Sequence, residues 1–339
     1  MSVKKAAYQL SRAVPFGLAA QLCRRHFVFP FYHVVSDEKL PHIRQLYPVV
    51  TTSRFRDDLR FWLQNFQPAA LPEVIDLISG GAPSGGKPRF FLTFDDGLRE
   101  MADLVAPLLQ EFGVPAAFFV NPAFLDNRRL FYRHKISLLL EKLPAFSAAV
   151  RHAVALKLGQ EDASKKLLES VLRKLTWRDE ALIDAVAAIG QVDFDGFLTS
   201  QKPYLTSEQV KTLRQQGFVI GSHSYDHPLF SELSDEERAA QVEESFRFFE
   251  EKLEISERIF AFPFTDDGVQ AAFIRSLREQ HGVAVSFGTA GLKDDVFPFH
   301  LQRIAMENPS FHSAREMIRA EYLYHFARSL AGKNKIGRP

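Results

Sequence analysis

At 339 residues the chain is long enough for one large or two modest domains with a substantial core, and its 46% apolar and 24% charged composition is that of a globular protein. Its 42 Lys and Arg nearly cancel 41 Asp and Glu, for a net charge of +1, so no broad basic surface argues for nucleic acid and no such partner is expected. The single cysteine, Cys23, excludes an internal disulfide and any multi-cysteine zinc module, so a bound metal must use mainly nitrogen and oxygen ligands.

The first residues, Met1-Ser2-Val3-Lys4-Lys5, have the basic start of a signal peptide, but Gln9, Ser11, Arg12 and Pro15 interrupt the adjoining stretch. The least polar run, 13–23, is too short to span a bilayer. We therefore expect no secretion signal, and residues 1–26 read as an N-terminal helix packed on its own domain, with peripheral contact to a membrane surface as the alternative. A strand over 27–35 carries Tyr32 and His33 near its carboxyl end. Next come helices over 53–65 and 72–78, a Gly, Ser and Pro loop over 80–86, a strand over 89–93, a helix over 101–112 and a strand over 116–120.

From Asp126 to about Lys202 this alternation gives way to charged, helical sequence, read as an insertion of several helices at about 127–202. Phe131-Tyr132-Arg133-His134 at its start reads as a helix-packing face, with a groove wall as the alternative. Alternation then resumes: helix 206–216, strand 218–220, helix 234–253, strand 259–262, helix 268–280 and strand 283–287. Thr206 and Ser234 are expected N-caps, each with carboxylates in the first turn after it. No Gly-rich dinucleotide fingerprint stands after any strand. The repeated units therefore predict an α/β fold, a distorted or partial (β/α) barrel with a helical insertion, over 27–305, and a C-terminal helix and tail over 306–339.

Two segments far apart carry the chemistry. Thr93-Phe94-Asp95-Asp96-Gly97 places adjacent carboxylates where a buried strand opens into a Gly turn, and His223-Ser224-Tyr225-Asp226-His227 offers two imidazoles after another apolar run. A catalytic metal site needs about three protein ligands and an open position, and two His with one Asp meet that count. The neighbouring carboxylate, pointing elsewhere, can act as a base. Singly, these segments read as an Asx-type turn and capping histidines; together they favour a site. Asp266-Asp267-Gly268 reads as a turn before a helix.

With these motifs the chain resembles the polysaccharide deacetylases with the NodB homology domain, carbohydrate esterase family 4. The resemblance covers about 27–305 apart from the insertion. It implies Asp95 as general base and Asp96, His223 and His227 as ligands of zinc or a similar divalent ion. The family's Arg-x-x-Pro-Tyr motif stands here as Phe260-Ala261-Phe262-Pro263-Phe264, which keeps Pro263 and Phe264 on the substrate side, with a backbone amide able to stabilise an oxyanion, but loses the arginine. Arg303, in Leu301-Gln302-Arg303-Ile304 after the last strand, is the candidate replacement. No Leu-x-His motif fits His300, His312 or His325; Phe31-Tyr32-His33 instead resembles the Tyr-His strand of the poly-N-acetylglucosamine deacetylase branch and implies His33 as general acid.

The resemblance implies a metal-dependent hydrolase that removes N-acetyl groups from an amino sugar in a polysaccharide or lipid-linked glycan. Its expected setting is the cytoplasm or the inner face of a membrane; the oligomeric state stays open. An O-deacetylase or an amidase on a non-sugar substrate would keep the chemistry and change the bond. A catalytically silent carbohydrate-binding protein is the rival of another class, motivated by the missing arginine.

Overall fold

Short apolar runs rich in Phe, Val and Ile fold as strands that alternate with helices, because both faces of each run can be buried at once. The computed structural model describes residues 8, 11, 13–81 and 86–338. Most of the expected N-terminal helix before residue 13, and positions 82–85 of the expected loop, lie outside the described residues.

The strands in chain order are β1 (Phe27–Val28), β2 (Pro30–Tyr32), β3 (Gln67–Pro68), β4 (Arg89–Phe90), β5 (Leu92–Phe94), β6 (Ala116–Val120), β7 (Val219–Ser222), β8 (Ile259–Ala261), β9 (Val285–Gly288), β10 (His300–Gln302) and β11 (Ile304–Ala305). Three of them, β1, β4 and β3, form a small parallel sheet. The other eight make one parallel sheet in the order β10-β9-β8-β7-β6-β5-β2-β11. Its two end strands are consecutive pieces of a single segment, separated only by Arg303. That segment pairs with β9 on one side, His300 opposite Ser286, and with β2 on the other, Ile304 opposite Pro30. The sheet thus returns on itself as a nearly closed (β/α) barrel.

Helices cover the outside: Thr52–Asn65 and Leu71–Ile78 before β4, Ala106–Phe112 before β6, Asp235–Phe248 before β8 and Ala271–Glu279 before β9. Between β6 and β7 run Tyr132–Lys142, Ala148–Lys157, Lys165–Leu172, Glu180–Gly190 and Phe194–Gln201, then Ser207–Gln215. The first five enclose a core of their own, with Leu139, Val154, Leu168, Leu172, Ile183 and Val186 fully buried. Capping agrees with the sequence signals: Thr206 and Ser234 each accept a hydrogen bond from the third helical N–H, and Gln209 and Glu237 return it. The helix Phe16–Cys23 packs on the C-terminal helix Ala314–Leu330, Phe16 stacking on Tyr322 at 6.0 Å. Among the described residues no helix is long and apolar enough to cross a membrane.

The barrel's geometry positions the chemistry. Side chains alternate along each strand, so Val28, Phe90, Leu92, Phe94, Phe118, Val120 and Ile220 join the large cluster shared with the helices. Phe29, Phe91, Ala117, Phe119, Ile259, Ala261, Val285 and Phe287 fill a separate, smaller core. Continuing these rows by two-residue steps leads to Phe31 and His33, Thr93 and Asp95, and, through Val219 and Gly221, to His223. Gly221 is required there: a Cβ at that position would come within 2.5 Å of the Phe119 ring and 2.7 Å of Ile259.

Arg303 departs from expectation. It lies inside the closing strand rather than after the last one. The polar pair Gln302-Arg303 concealed a strand in which Arg303 finds a carboxylate partner in Asp95 and Gln302 donates to Asp266.

Candidate active site

At the carboxyl ends of the strands a cavity of about 350 Å³ is lined by His33, Tyr47, Asp95, Asp96, His223, His227 and Phe264, among others. The two carboxylates diverge. Asp95 continues the strand, its N–H bonded to Tyr32 O, whereas Asp96 has φ 76°, which turns its side chain away from its neighbour's. Asp95 meets Arg303 in a bidentate pair, Oδ1 to Nη1 and Oδ2 to Nη2, both 2.7 Å. The guanidinium is fully buried, bonds Thr93 Oγ1 at 3.0 Å, and lies 4.3 Å from the ring centre of Phe31 and 5.4 Å from that of Phe119. Burial pushes the Asp95 carboxyl upward, but the Arg303 charge and hydrogen bonds, together with the neighbouring histidines, outweigh it in sum and hold the group below its ordinary value. Asp95 is therefore an anion at neutral pH.

Asp96 Oδ1 lies 3.1 Å from His227 Nε2 and 3.5 Å from His223 Nε2, and is buried without a hydrogen-bond partner. His223 Nδ1 is 2.8 Å from Ala261 O, so the backbone takes that proton and leaves Nε2 as a lone-pair donor facing Asp96. Burial brings the His223 pKa down to about 4, opposed by Asp95, which keeps the ring neutral as a metal ligand must be. A tetrahedral ion with bonds of about 2.0–2.1 Å separates its ligand atoms by roughly 3.3 Å. The observed spacings fit such a divalent ion.

The loop bearing the histidines is held from below. Asn121 Nδ2 donates to His223 O and, at 3.1 Å, to Ser224 O; Gln241 Oε1 accepts from Tyr225 and Asp226 N–H, both at 3.1 Å. Among the described residues ten non-glycine positions have positive φ. Four end helices and two form the turn at Asp126-Asn127, but Asp96, Ser224, His227 and Phe264 gather at this site. Such conformations cost on the order of 1–3 kcal/mol each and persist where the surroundings over-determine them.

Across the cavity His33 Nδ1 is 2.7 Å from Glu307 Oε2, while the other oxygen of Glu307 accepts from the His33 and Val34 N–H groups. Burial lowers the His33 pKa, but the charge and hydrogen bond of Glu307, with Asp96 and Asp95 beyond, raise it to about 9. The imidazole is thus a cation at pH 7. Tyr47 stacks on it at 4.7 Å and directs its hydroxyl toward Asp96 Oδ2, 3.4 Å away. Phe264 is 41% exposed and packs edge-on to His227 at 4.5 Å; Phe131 approaches the other side at 4.6 Å.

Asp95, Asp96, His33, His223, His227 and Phe264 therefore share one cavity. Pro263 is buried beside it without lining it, and Arg303 sits behind Asp95 rather than on the substrate side, because its charge is consumed in the ion pair. Phe260 is fully buried in the outer core. Phe131, Arg133 and His134 line the cavity instead of forming only a packing face. Sequence reasoning passed over Glu307, Tyr47 and Asn121; the one available signal was Asn121 directly after an apolar strand run. A second group with ligand spacing, Asp266, Asp295 and His300, already holds a cation, since Arg338 Nη2 lies 2.5 Å from Asp266 and 2.6 Å from Asp295. The Asp266 turn is thereby tied to the C-terminal tail.

A family model described as polysaccharide deacetylase matches residues 82–154 and 179–285, just over half of the chain. The gap falls in the helices between β6 and β7. A search of curated proteins found no match. Among solved structures, the Streptococcus pyogenes deacetylase PplD in complex with acetate is 13% identical with a TM-score of 0.54, covering 87% of this chain and 97% of its own. IcaB from Ammonifex degensii is 19% identical with a TM-score of 0.54, at 88% and 97% coverage. A de-N-acetylase from Aggregatibacter actinomycetemcomitans is 14% identical with a TM-score of 0.52, at 82% and 94%. At these identities the likeness is one of fold.

Proposed function

We propose that this chain, which belongs to the polysaccharide deacetylase family, is a metal-dependent hydrolase that removes N-acetyl groups from an amino sugar of a glycan. The observation that carries the reading is the ion-paired carboxylate of Asp95 beside the Asp96–His223–His227 cluster. These three residues would hold a divalent ion, zinc or a similar metal, which when bound supplies Lewis-acid polarisation of a carbonyl and acidification of water.

The chain's own groups do the rest. Asp95, kept anionic by Arg303, takes a proton from the attacking water; its oxygens retain lone pairs beyond those used by the guanidinium. The Phe264 N–H, which donates to no protein acceptor among the described residues, is available to the developing oxyanion. His33, cationic at neutral pH, delivers the proton that lets the amine depart, and acetate and a free amino sugar result. An amine leaves poorly unless protonated, so a cationic acid opposite the base favours an amide over an ester.

Acetate release from matched N-acetylated and O-acetylated sugars by metal-loaded protein tests this. Faster release from the N-acetyl series is expected. Preference for the esters would make the protein an O-deacetylase, release only from non-sugar amides would make it an amidase, and glycan binding without release from any substrate would leave a binding protein.

The His33–Glu307 pair predicts a pH profile. A raised pKa means the proton is held below the ordinary value of 6.5 and lost as pH rises through about 9, so activity falls on that alkaline limb. Glu307→Gln removes the largest upward contribution, and the limb should move down by about one pH unit or more. An unmoved limb in kcat against pH would remove His33 from the role of acid.

A further inference from the structure

The cavity holds one charge that the reaction does not use. Asp95 is matched by Arg303 and His33 by Glu307, while Asp96 faces His227 and His223 as one of the three candidate metal ligands. Arg133 lines the same cavity, is partly exposed, and among the described residues has no carboxylate partner; its one hydrogen bond runs from Nη1 to the carbonyl of Arg173 at 3.2 Å. A guanidinium left with free N–H donors at the wall of a substrate cavity is a fork suited to a planar or tetrahedral oxyanion.

Two independent features point the same way. Arg133 stands in the first turn of the helix Tyr132–Lys142, whose N-terminus has neither a side-chain cap nor an acidic residue, so its positive end is unopposed from within. Next to it, His134 is 1% exposed, lines the cavity, and has Nε2 buried with no partner. The Tyr204 hydroxyl accepts from Phe131 N–H at 2.9 Å, so its own hydrogen goes to His134 Nδ1 at 2.7 Å. That makes Nδ1 the acceptor and Nε2 an N–H donor awaiting an acceptor. This part of the cavity wall therefore offers N–H donors and positive charge.

We propose that Arg133, seconded by the His134 Nε2–H and the helix N-terminus, selects an acetamido sugar bearing an anionic group, a phosphate or a carboxylate, on or next to the ring that is deacetylated. This rests on the deacetylase reading and narrows its substrate class. Arg133 is a specificity residue here and takes no part in bond breaking.

The test compares N-acetylglucosamine 1-phosphate with its neutral methyl glycoside, and an N-acetylated aminouronate with its methyl ester, on metal-loaded wild type, Arg133→Gln and Arg133→Lys. Wild type should favour the anionic member of at least one pair in kcat/KM, the pair identifying phosphate or carboxylate. Arg133→Gln should reduce that ratio about ten- to hundredfold, as loss of a charge-assisted hydrogen bond implies, mostly through KM, and Arg133→Lys should keep part of it. Added salt should erode the preference of wild type and whatever part Arg133→Lys retains, and leave the ratio of Arg133→Gln unmoved. No anionic preference in wild type, or an unchanged ratio in Arg133→Gln, would overturn the proposal while leaving the deacetylase reading intact. If no substrate releases acetate, that reading fails, and calorimetric binding of the sugar phosphate against its neutral counterpart decides the role of Arg133 separately: equal binding to wild type and Arg133→Gln overturns it.

Discussion

Replacing Arg303 by methionine should cost about 3–5 kcal/mol of stability, because it strips a buried carboxylate of its bidentate counter-charge. The guanidinium contributes through both Nη atoms at once, so Arg303→Lys, a point charge on a flexible stem, should recover only part of that loss. Activity should fall as well. Without Arg303 the burial that already pushes Asp95 upward loses its largest opponent and is resisted only by more distant charge such as that of His33, so the carboxyl holds its proton to higher pH and its anionic fraction at pH 7 falls. General-base catalysis is typically worth about 10²–10⁴-fold, and a drop of about that size in kcat is expected at pH 7, partly regained as pH rises. The double variant Asp95→Asn with Arg303→Met separates the two effects: chemical denaturation should find it more stable than Arg303→Met alone, while acetate release stays at background. A double variant no more stable than the single one would mean that Arg303 acts through packing on Phe31 and Phe119 rather than through charge.

Loss of a metal ligand should be comparably severe. Wild type is expected to bind about one equivalent of a divalent transition metal, whereas Asp96→Asn or His227→Ala should retain none after gel filtration. Deacetylation should fall by about 10³-fold, the order implied by several kcal/mol of lost charge stabilisation. Thermal denaturation supplies a readout independent of turnover: metal at about 100 times its Kd should stabilise wild type by about 2.7 kcal/mol and leave the variants unmoved. Stoichiometric binding that persists in both variants would place the ion elsewhere, and the Asp96 cluster would then be a hydrogen-bonded structural network.

Much of this arrangement is legible without coordinates because its signals are local. Strand runs such as Ala116–Val120 are apolar on both faces, helix starts at Thr206 and Ser234 carry their own caps, and the barrel emerges from their alternation. Each motif sits at the end of a strand, where side-chain alternation and a Gly turn can be read from a few residues. Glu307 and Tyr47 could not be found in this way. Neither belongs to a periodic pattern, and each gains meaning only from His33 and Asp96, which lie far away along the chain.

The closing strand marks the boundary most clearly. Leu301-Gln302-Arg303-Ile304 has too little apolar character to read as a strand, since Arg303 is buried through its pairing with Asp95, a partner that no local rule predicts. Residue order alone was enough for the (β/α) alternation and for the two short segments that carry the candidate base and the three candidate metal ligands, because periodicity and turn chemistry act over neighbouring residues. Folding in three dimensions was needed for β10 and β11 to shut the barrel, for Arg303 so placed to meet Asp95, for Glu307 to charge His33, and for Arg133 to be left facing the cavity without an anion. Those are relations between residues distant in sequence, and their energies depend on burial and separation, which exist only once the chain has folded.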